Sequence, residues 1–269
     1  MSRIEAAFDR LRVKGEAALI PYLMTGYPSM AATRELLYAL VRAGADLVEL
    51  GIPFSDPLAD GATLQRAGYR ALRAGASPRG ALDLVASVRA EVDVPIVLMS
   101  YYNPVLRMGD ERFASAAGAA GVDGIIVPDL PVEESAALGD SCRAAGVDLV
   151  GMVAPTSPDH RVVLTCNRAS GFVYCVSLKG VTGARGALPR DAEALVGRVK
   201  RATRLPAVVG FGISTPEQVS AITSFADGAV VASALTDEID RESHRATDAA
   251  GEFVAALKAA CRKRIKMLT

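Results

Sequence analysis

Short apolar, β-branched runs alternate with helix-period patterns along the whole chain. Ile4, Phe8 and Leu11 fall on one face of an opening helix that stops near Gly15. Strands are expected at 18–24, 46–50, 95–100, 124–128, 149–154, 172–177, 207–210 and 228–232. After the first of them, Ser29 caps a helix that carries Leu36, Leu37, Leu40 and Val41. Ser77-Pro78, Ser157-Pro158 and Thr215-Pro216 each read as a cap followed by proline at the first helical position. Strands and helices in alternation make βαβ units, and those build a parallel sheet.

One phrase recurs: Ala43-Gly44-Ala45-Asp46, Ala120-Gly121-Val122-Asp123 and Ala145-Gly146-Val147-Asp148. Its glycine ends a helix, a short turn follows, and its aspartate starts the next strand. Repeated units of this kind suit a closed barrel. The expected fold is α/β: a single-domain (β/α)8 TIM barrel over 1–269 with an extra N-terminal helix, and 269 residues is an ordinary size for one. An open doubly wound sheet is the alternative. Against it, no Gly-x-Gly-x-x-Gly follows the first strand, and the glycine-rich segments come late, after the sixth and seventh.

Composition narrows the function classes. Apolar residues make up 51% of the chain, ample for a large core, and 30 basic residues balance 30 acidic ones. A field this weak does not gather nucleic acid or an anionic membrane. The N-terminus lacks the apolar stretch of a signal peptide, and no uncharged run is long enough to span a bilayer, so the expected location is the cytoplasm. Four separated cysteines (Cys142, Cys166, Cys175 and Cys261) read as reduced, buried thiols. His160 and His244 have no partners at metal-ligand spacing, and no metal is expected.

Barrel enzymes carry their chemistry at the C-terminal ends of the strands. After the second strand comes Glu49-Leu-Gly-Ile-Pro-Phe-Ser-Asp56-Pro-Leu-Ala-Asp60-Gly61. Strand side chains alternate, so if Leu47 points into the barrel, Glu49 does too, near the top. A carboxylate there loses water, its pKa rises, and it can give and take protons near neutrality. Facing the helices instead, it would be a paired surface acid. Asp56 and Asp60, taken singly, read as turn or cap residues before a helical run at 63–73. After the sixth strand, 177–189 holds Gly180, Gly183 and Gly186 and reads as a lid with glycine hinges. Gly210-Phe211-Gly212 after the seventh strand and Ala232-Ser233 after the eighth fit a phosphate cradle of backbone N–H groups, as at a helix N-terminus.

Together these segments resemble the tryptophan synthase alpha subunit family. The likeness is carried by 49–61, Tyr101-Tyr-Asn103-Pro104, Pro128-Asp129-Leu-Pro131, Gly180-Val-Thr182-Gly183 and Gly210-Phe-Gly-Ile-Ser214, and it runs nearly end to end. The resemblance implies a carbon–carbon lyase that cleaves indole-3-glycerol phosphate to indole and glyceraldehyde 3-phosphate by a retro-aldol reaction, without a cofactor. It implies Glu49 as general acid and base, Asp60 as the counter-carboxylate on the indole N–H, and Tyr174 as the residue that helps position Glu49. It also implies a substrate site drawn from Tyr22, Met99, Tyr101, Asp129, Thr182, Gly183, Phe211, Gly212, Ala232 and Ser233. Thr182 matches the lid residue that closes onto Asp60. The implied partner is a beta subunit, in an α2β2 heterotetramer, that receives the indole. Two departures stand out: Ala62 where the family usually has proline, and Ala232 where glycine usually precedes the serine. Ala232 is expected to be tolerated if its backbone N–H is what counts. Other readings are a stand-alone indole-releasing lyase, a catalytically silent partner of the beta subunit, and a phosphosugar isomerase barrel.

Overall fold

The computed structural model describes residues 1–176, 188–210 and 212–261. Nine parallel strands form one nearly closed sheet: β1 Ala18–Met24, β2 Val48–Gly51, β3 Ile96–Met99, β4 Gly124–Ile126, β5 Asp148–Leu149, β6 Gly151–Val153, β7 Val173–Val176, β8 Ala207–Gly210 and β9 Gly228–Val231. Their order is β5-β4-β3-β2-β1-β9-β8-β7-β6. The barrel reading holds, and the doubly wound open sheet is excluded, because the strands follow one another in sequence order around the sheet and the last, β9, pairs with the first, β1.

The fifth expected strand is the exception. It changes neighbours at Val150: β5 bonds β4, and Val150 still donates to Ile125 O at 2.9 Å, whereas β6 bonds β7. Two strands of the sheet therefore stand for one strand of the eightfold plan. Below the switch, Ser170 fills the gap towards β7, accepting the Leu149 N–H at its Oγ (2.9 Å) and donating its own N–H to Leu149 O (2.9 Å).

Alternation divides the side chains into two layers. Ile20, Leu47, Val97, Ile126, Val150, Phe172, Val208 and Val230 pack inside the barrel, and their neighbours in sequence pack outward under the helices. The opening helix, Arg3–Lys14, plugs the floor: Ile4, Phe8 and Leu11 join the inner cluster, with Phe8 6.0 Å from Phe172 between ring centroids. Ser2 caps this helix, and Gly15 ends it at φ +66°. Each inner side chain taken out of water contributes on the order of 2 kcal/mol.

Two of the recurring aspartates, and Asp227 before β9, do more than start strands; the pKa of the third, Asp148, is raised by burial, and its Oδ2 has no hydrogen-bond partner among the described residues. Asp46 accepts the Leu19 N–H of β1 at 2.8 Å, Asp123 accepts the Ile96 N–H of β3 at 2.8 Å, and Asp227 accepts the Ala207 N–H of β8 at 3.0 Å. Each is neutralised as well: Asp46 by Lys258, Asp123 by Arg3 and Arg89, Asp227 by Lys200. Three backbone clamps at the floor of the barrel are thus held by ion pairs.

The expected caps at Ser29, Ser77 and Thr215 are present, Thr215 in a full capping box with Gln218. Ser157 is a correction. Its Oγ turns back to accept the Ala154 N–H at 3.1 Å, which leaves Pro158 at the cap of the helix Asp159–Arg168. All four cysteines are free and buried, as expected. Among the described residues, no helix is long and apolar enough to cross a membrane.

Candidate active site

Glu49 lies in the upper, inward-facing layer of β2, two residues above Leu47, as strand parity requires. It is 2% exposed, and its Oε2 has no hydrogen-bond partner. Burial first, and then the nearby Asp60 charge, push its pKa up to about 8. Among the described residues, no cation offsets either effect. A buried carboxyl in this setting keeps its proton at neutral pH.

Asp60 comes from the loop between β2 and the helix Ala62–Arg73. The turn that carries it is closed by its own N–H on Pro57 O (3.1 Å). Tyr101 braces that turn from within. Its phenol oxygen accepts the Ala59 N–H at 2.9 Å and bonds the Asp60 carboxylate, while its ring stacks on Phe54 at 5.4 Å. Burial raises Asp60 to about 6, with the Tyr101 bond opposing the rise. The two carboxyls are therefore pushed apart: at neutral pH Glu49 is an acid and Asp60 an anion.

Two phenols complete the polar layer. Tyr22 on β1 and Tyr174 on β7 are buried, and burial together with the Glu49 and Asp60 charges holds both well above the usual tyrosine range. Each leans over a glycine on the neighbouring strand. A Cβ on Gly51 would lie 1.8 Å from the Tyr22 phenol oxygen, and one on Gly210 would lie 1.9 Å from that of Tyr174. In both places the glycine stands two residues beyond the tyrosine's register partner, Glu49 for Tyr22 and Val208 for Tyr174. No motif pointed to Gly51 or Gly210 in this role. Strand parity together with pairing register would have found them.

The remaining expected residues are spread around the mouth. Met99 ends β3, half-buried against the inner cluster. Asp129 has a structural task, accepting the Tyr102 N–H at 2.8 Å at the start of the helix Tyr102–Met108. Gly212 has φ +73°, a conformation that favours glycine. Ser233 is exposed and opens the helix Ser233–Arg241, with Ala232 before it at φ −118°. That φ is open to any L-residue, so alanine fits where the family usually has glycine. Ala62 takes the first position of its helix, where proline is also at home. Thr182, Gly183 and Phe211, and with them the expected lid, lie outside the described residues.

A cavity of about 340 Å³ opens beside this site and not at it, between Asp129, Leu130, Gly151–Val153 and Arg168. It marks the place where β4 and β6 fail to pair. Neither Glu49 nor Asp60 lines it. Among the described residues, no group of three His, Cys, Asp or Glu side chains could hold a metal ion.

A (β/α)8 barrel whose mouth holds a buried, unpaired carboxylic acid and a second, ionised carboxylate is an acid–base enzyme. The comparisons with known proteins are specific. The family described as tryptophan synthase alpha chain matches residues 8–266. The tryptophan synthase alpha chain of Carboxydothermus hydrogenoformans is 49% identical over 240 residues, 89% of this chain and 90% of its own. That of Roseiflexus castenholzii is 52% identical over 256 residues, 95% of this chain and 96% of its own. Among solved structures, tryptophan synthase subunit alpha from Legionella pneumophila superposes with a TM-score of 0.90 at 34% identity, covering 97% of this chain and 98% of that one. Tryptophan synthase from M. tuberculosis in an aminoacrylate-bound form gives 0.89 at 36% identity, covering 97% and 100%. The chain belongs to the tryptophan synthase alpha chain family, and is a lyase of tryptophan biosynthesis.

Proposed function

We propose that this chain cleaves indole-3-glycerol phosphate with Glu49 as proton donor and acceptor and Asp60 as counter-charge. The observation that carries the reading is the separation of the two buried carboxyls, Glu49 near 8 and Asp60 near 6. Glu49 starts protonated and delivers its proton to indole C3, which becomes tetrahedral. The positive charge this leaves on the ring nitrogen is balanced by Asp60. Glu49, now a carboxylate, takes the proton of the adjacent glycerol hydroxyl. The C–C electron pair returns to the ring, indole leaves, and the aldehyde forms with Glu49 reprotonated. Tyr174 confines Glu49 from one side and Tyr22 from the other. The phosphate rests against Gly212 and the free N–H groups of the helix that Ser233 opens.

The same reading gives the chain a beta-subunit partner in an α2β2 assembly. Leu58 is 84% exposed and Leu106 57% exposed, at the rim beside Asp60 and Tyr101, and apolar side chains so placed favour a covering partner. We read 1–269 as one domain acting in the cytoplasm, where its thiols stay reduced.

The deciding experiment is indole release from indole-3-glycerol phosphate, first with the chain alone and then with a beta subunit deprived of serine. Slow release that rises many-fold on mixing is expected. Fast release indifferent to the partner would make the chain a stand-alone lyase. No release in either case would overturn the reading.

A further inference from the structure

The helix that follows Asp60 begins without a side-chain cap. Gly61 occupies its N-cap position and has no side chain to offer the first turn. Something else must hold the turn 57–60 in place, since Asp60 is useful only at a fixed distance from Glu49 and the substrate. Among the described residues, two side chains bond the backbone of that turn: Tyr101 through the Ala59 N–H, and Gln65. Gln65 sits one turn into the helix, and its own N–H donates to Gly61 O at 3.0 Å. Its side chain reaches back over the helix start, and Nε2 donates to Asp60 O at 2.9 Å and to Pro57 O at 3.5 Å. Both partners are carbonyl oxygens, so the nitrogen of the amide, and not its oxygen, must face them. One NH2 group therefore spans both ends of the turn whose last residue is Asp60.

We propose that Gln65 is a positioning residue for Asp60, holding the turn 57–60 so that the carboxylate stays against Tyr101 and faces the ring nitrogen of the substrate. This rests on the lyase reading above. Gln65 is exposed and adds nothing to the core, so its loss displaces Asp60 without unfolding the chain. Among the described residues, the titratable groups that face Asp60 are Tyr101 beyond β3, Tyr22 on β1, Glu49 on β2 and Tyr174 on β7. Of these, Tyr101 is the one whose bond favours the ionised form of Asp60. A turn that slackens loosens this bond, and the Asp60 titration moves upward.

The test uses Gln65→Met, which matches the length and helix preference but cannot donate, Gln65→Lys, which restores a donor, and Gln65→Glu, which puts acceptor against acceptor. Displacements of about an ångström cost tenfold to a hundredfold, so Gln65→Met should lower kcat for indole release about tenfold with little change in KM. Its melting temperature should match the parent, and the Asp60 carboxyl, followed by 13C NMR in the free protein, should titrate higher. Gln65→Glu should lose more, and Gln65→Lys should recover most of the rate. A Gln65→Met protein with parental kcat and parental Asp60 titration overturns the proposal. So does a rate loss that follows a fall in melting temperature while the titration stays put. If the parent itself releases no indole, the lyase reading fails, and the NMR titration still judges Gln65.

Discussion

At the floor of the barrel Asp46, Asp123 and Asp227 each have a cation and a backbone N–H; at the mouth Glu49 and Asp60 have no ion pair among the described residues. Burial alone does not separate the two sets. Asp123 is 6% exposed and Glu49 is 2% exposed. Burial also raises Asp46, but there Lys258 and the Leu19 N–H pull the other way, whereas around Glu49 the nearest charge, Asp60, pushes in the same direction. The floor uses carboxylates to hold strands in register. At the mouth Glu49 has an unpartnered oxygen and Asp60 has only the Tyr101 bond to offset its burial, and both carboxyls hold their protons more tightly than usual. Under the proposed function, the ion-paired aspartates Asp46, Asp123 and Asp227 serve stability at one end of the strands and Glu49 and Asp60 serve reactivity at the other.

Substitutions should divide along this line. The largest effect is expected for Glu49→Gln, which removes the proton carrier and should lower indole release on the order of a thousandfold or more, with the fold intact; a near-parental rate would place the proton elsewhere. Next comes Asp123→Ala. It leaves the half-buried Arg89 and the Ile96 N–H without their partner, and should cost about 3 kcal/mol in chemical denaturation while the folded fraction keeps its activity.

Opposite in sign, and dependent on pH, is the stability change of Glu49→Gln. A carboxyl raised from 4.5 to about 8 makes the folded state hold a proton that the unfolded state has already lost. The parent therefore loses stability as pH rises from about 4.5 to about 8, and Glu49→Gln does not. At pH 9 the variant should be the more stable protein, by up to about 5 kcal/mol for a rise of this size, and the gap should close near pH 4. A gap that does not vary with pH would mean that Glu49 is not held in its acid form. The smallest effect is expected for Asp227→Asn. Its Lys200 is well exposed, and the loss should be about 1 kcal/mol or less.

Activity should follow a bell in pH, rising as Asp60 ionises near 6 and falling as Glu49 loses its proton near 8. A profile flat between 5 and 9 would remove both assignments.

Much of this was legible in the sequence because it depends on period and parity. The run Ala207–Gly210 stands where expected, and the inward direction of Glu49 follows from Leu47 two residues before it. What stayed hidden depends on neighbours distant in sequence. Nothing local says that Tyr22 needs an empty position at Gly51, or Tyr174 one at Gly210, because the contact exists only once adjacent strands are in register. Ser157-Pro158 has the form of a cap, yet its hydroxyl finds the Ala154 N–H first. The apolar run 149–154 reads as one strand, and only the chain on either side shows that it serves two neighbours in succession.

That change of neighbour gives the barrel a mechanical character. Its lower hoop is continuous, joined across the fifth stave by the two Ser170 bonds, while its upper hoop is split between β4 and β6, where the 340 Å³ cavity lies. The fifth stave is thus bonded to one neighbour below Val150 and to the other above it, so a single peptide joins the two halves of the hoop.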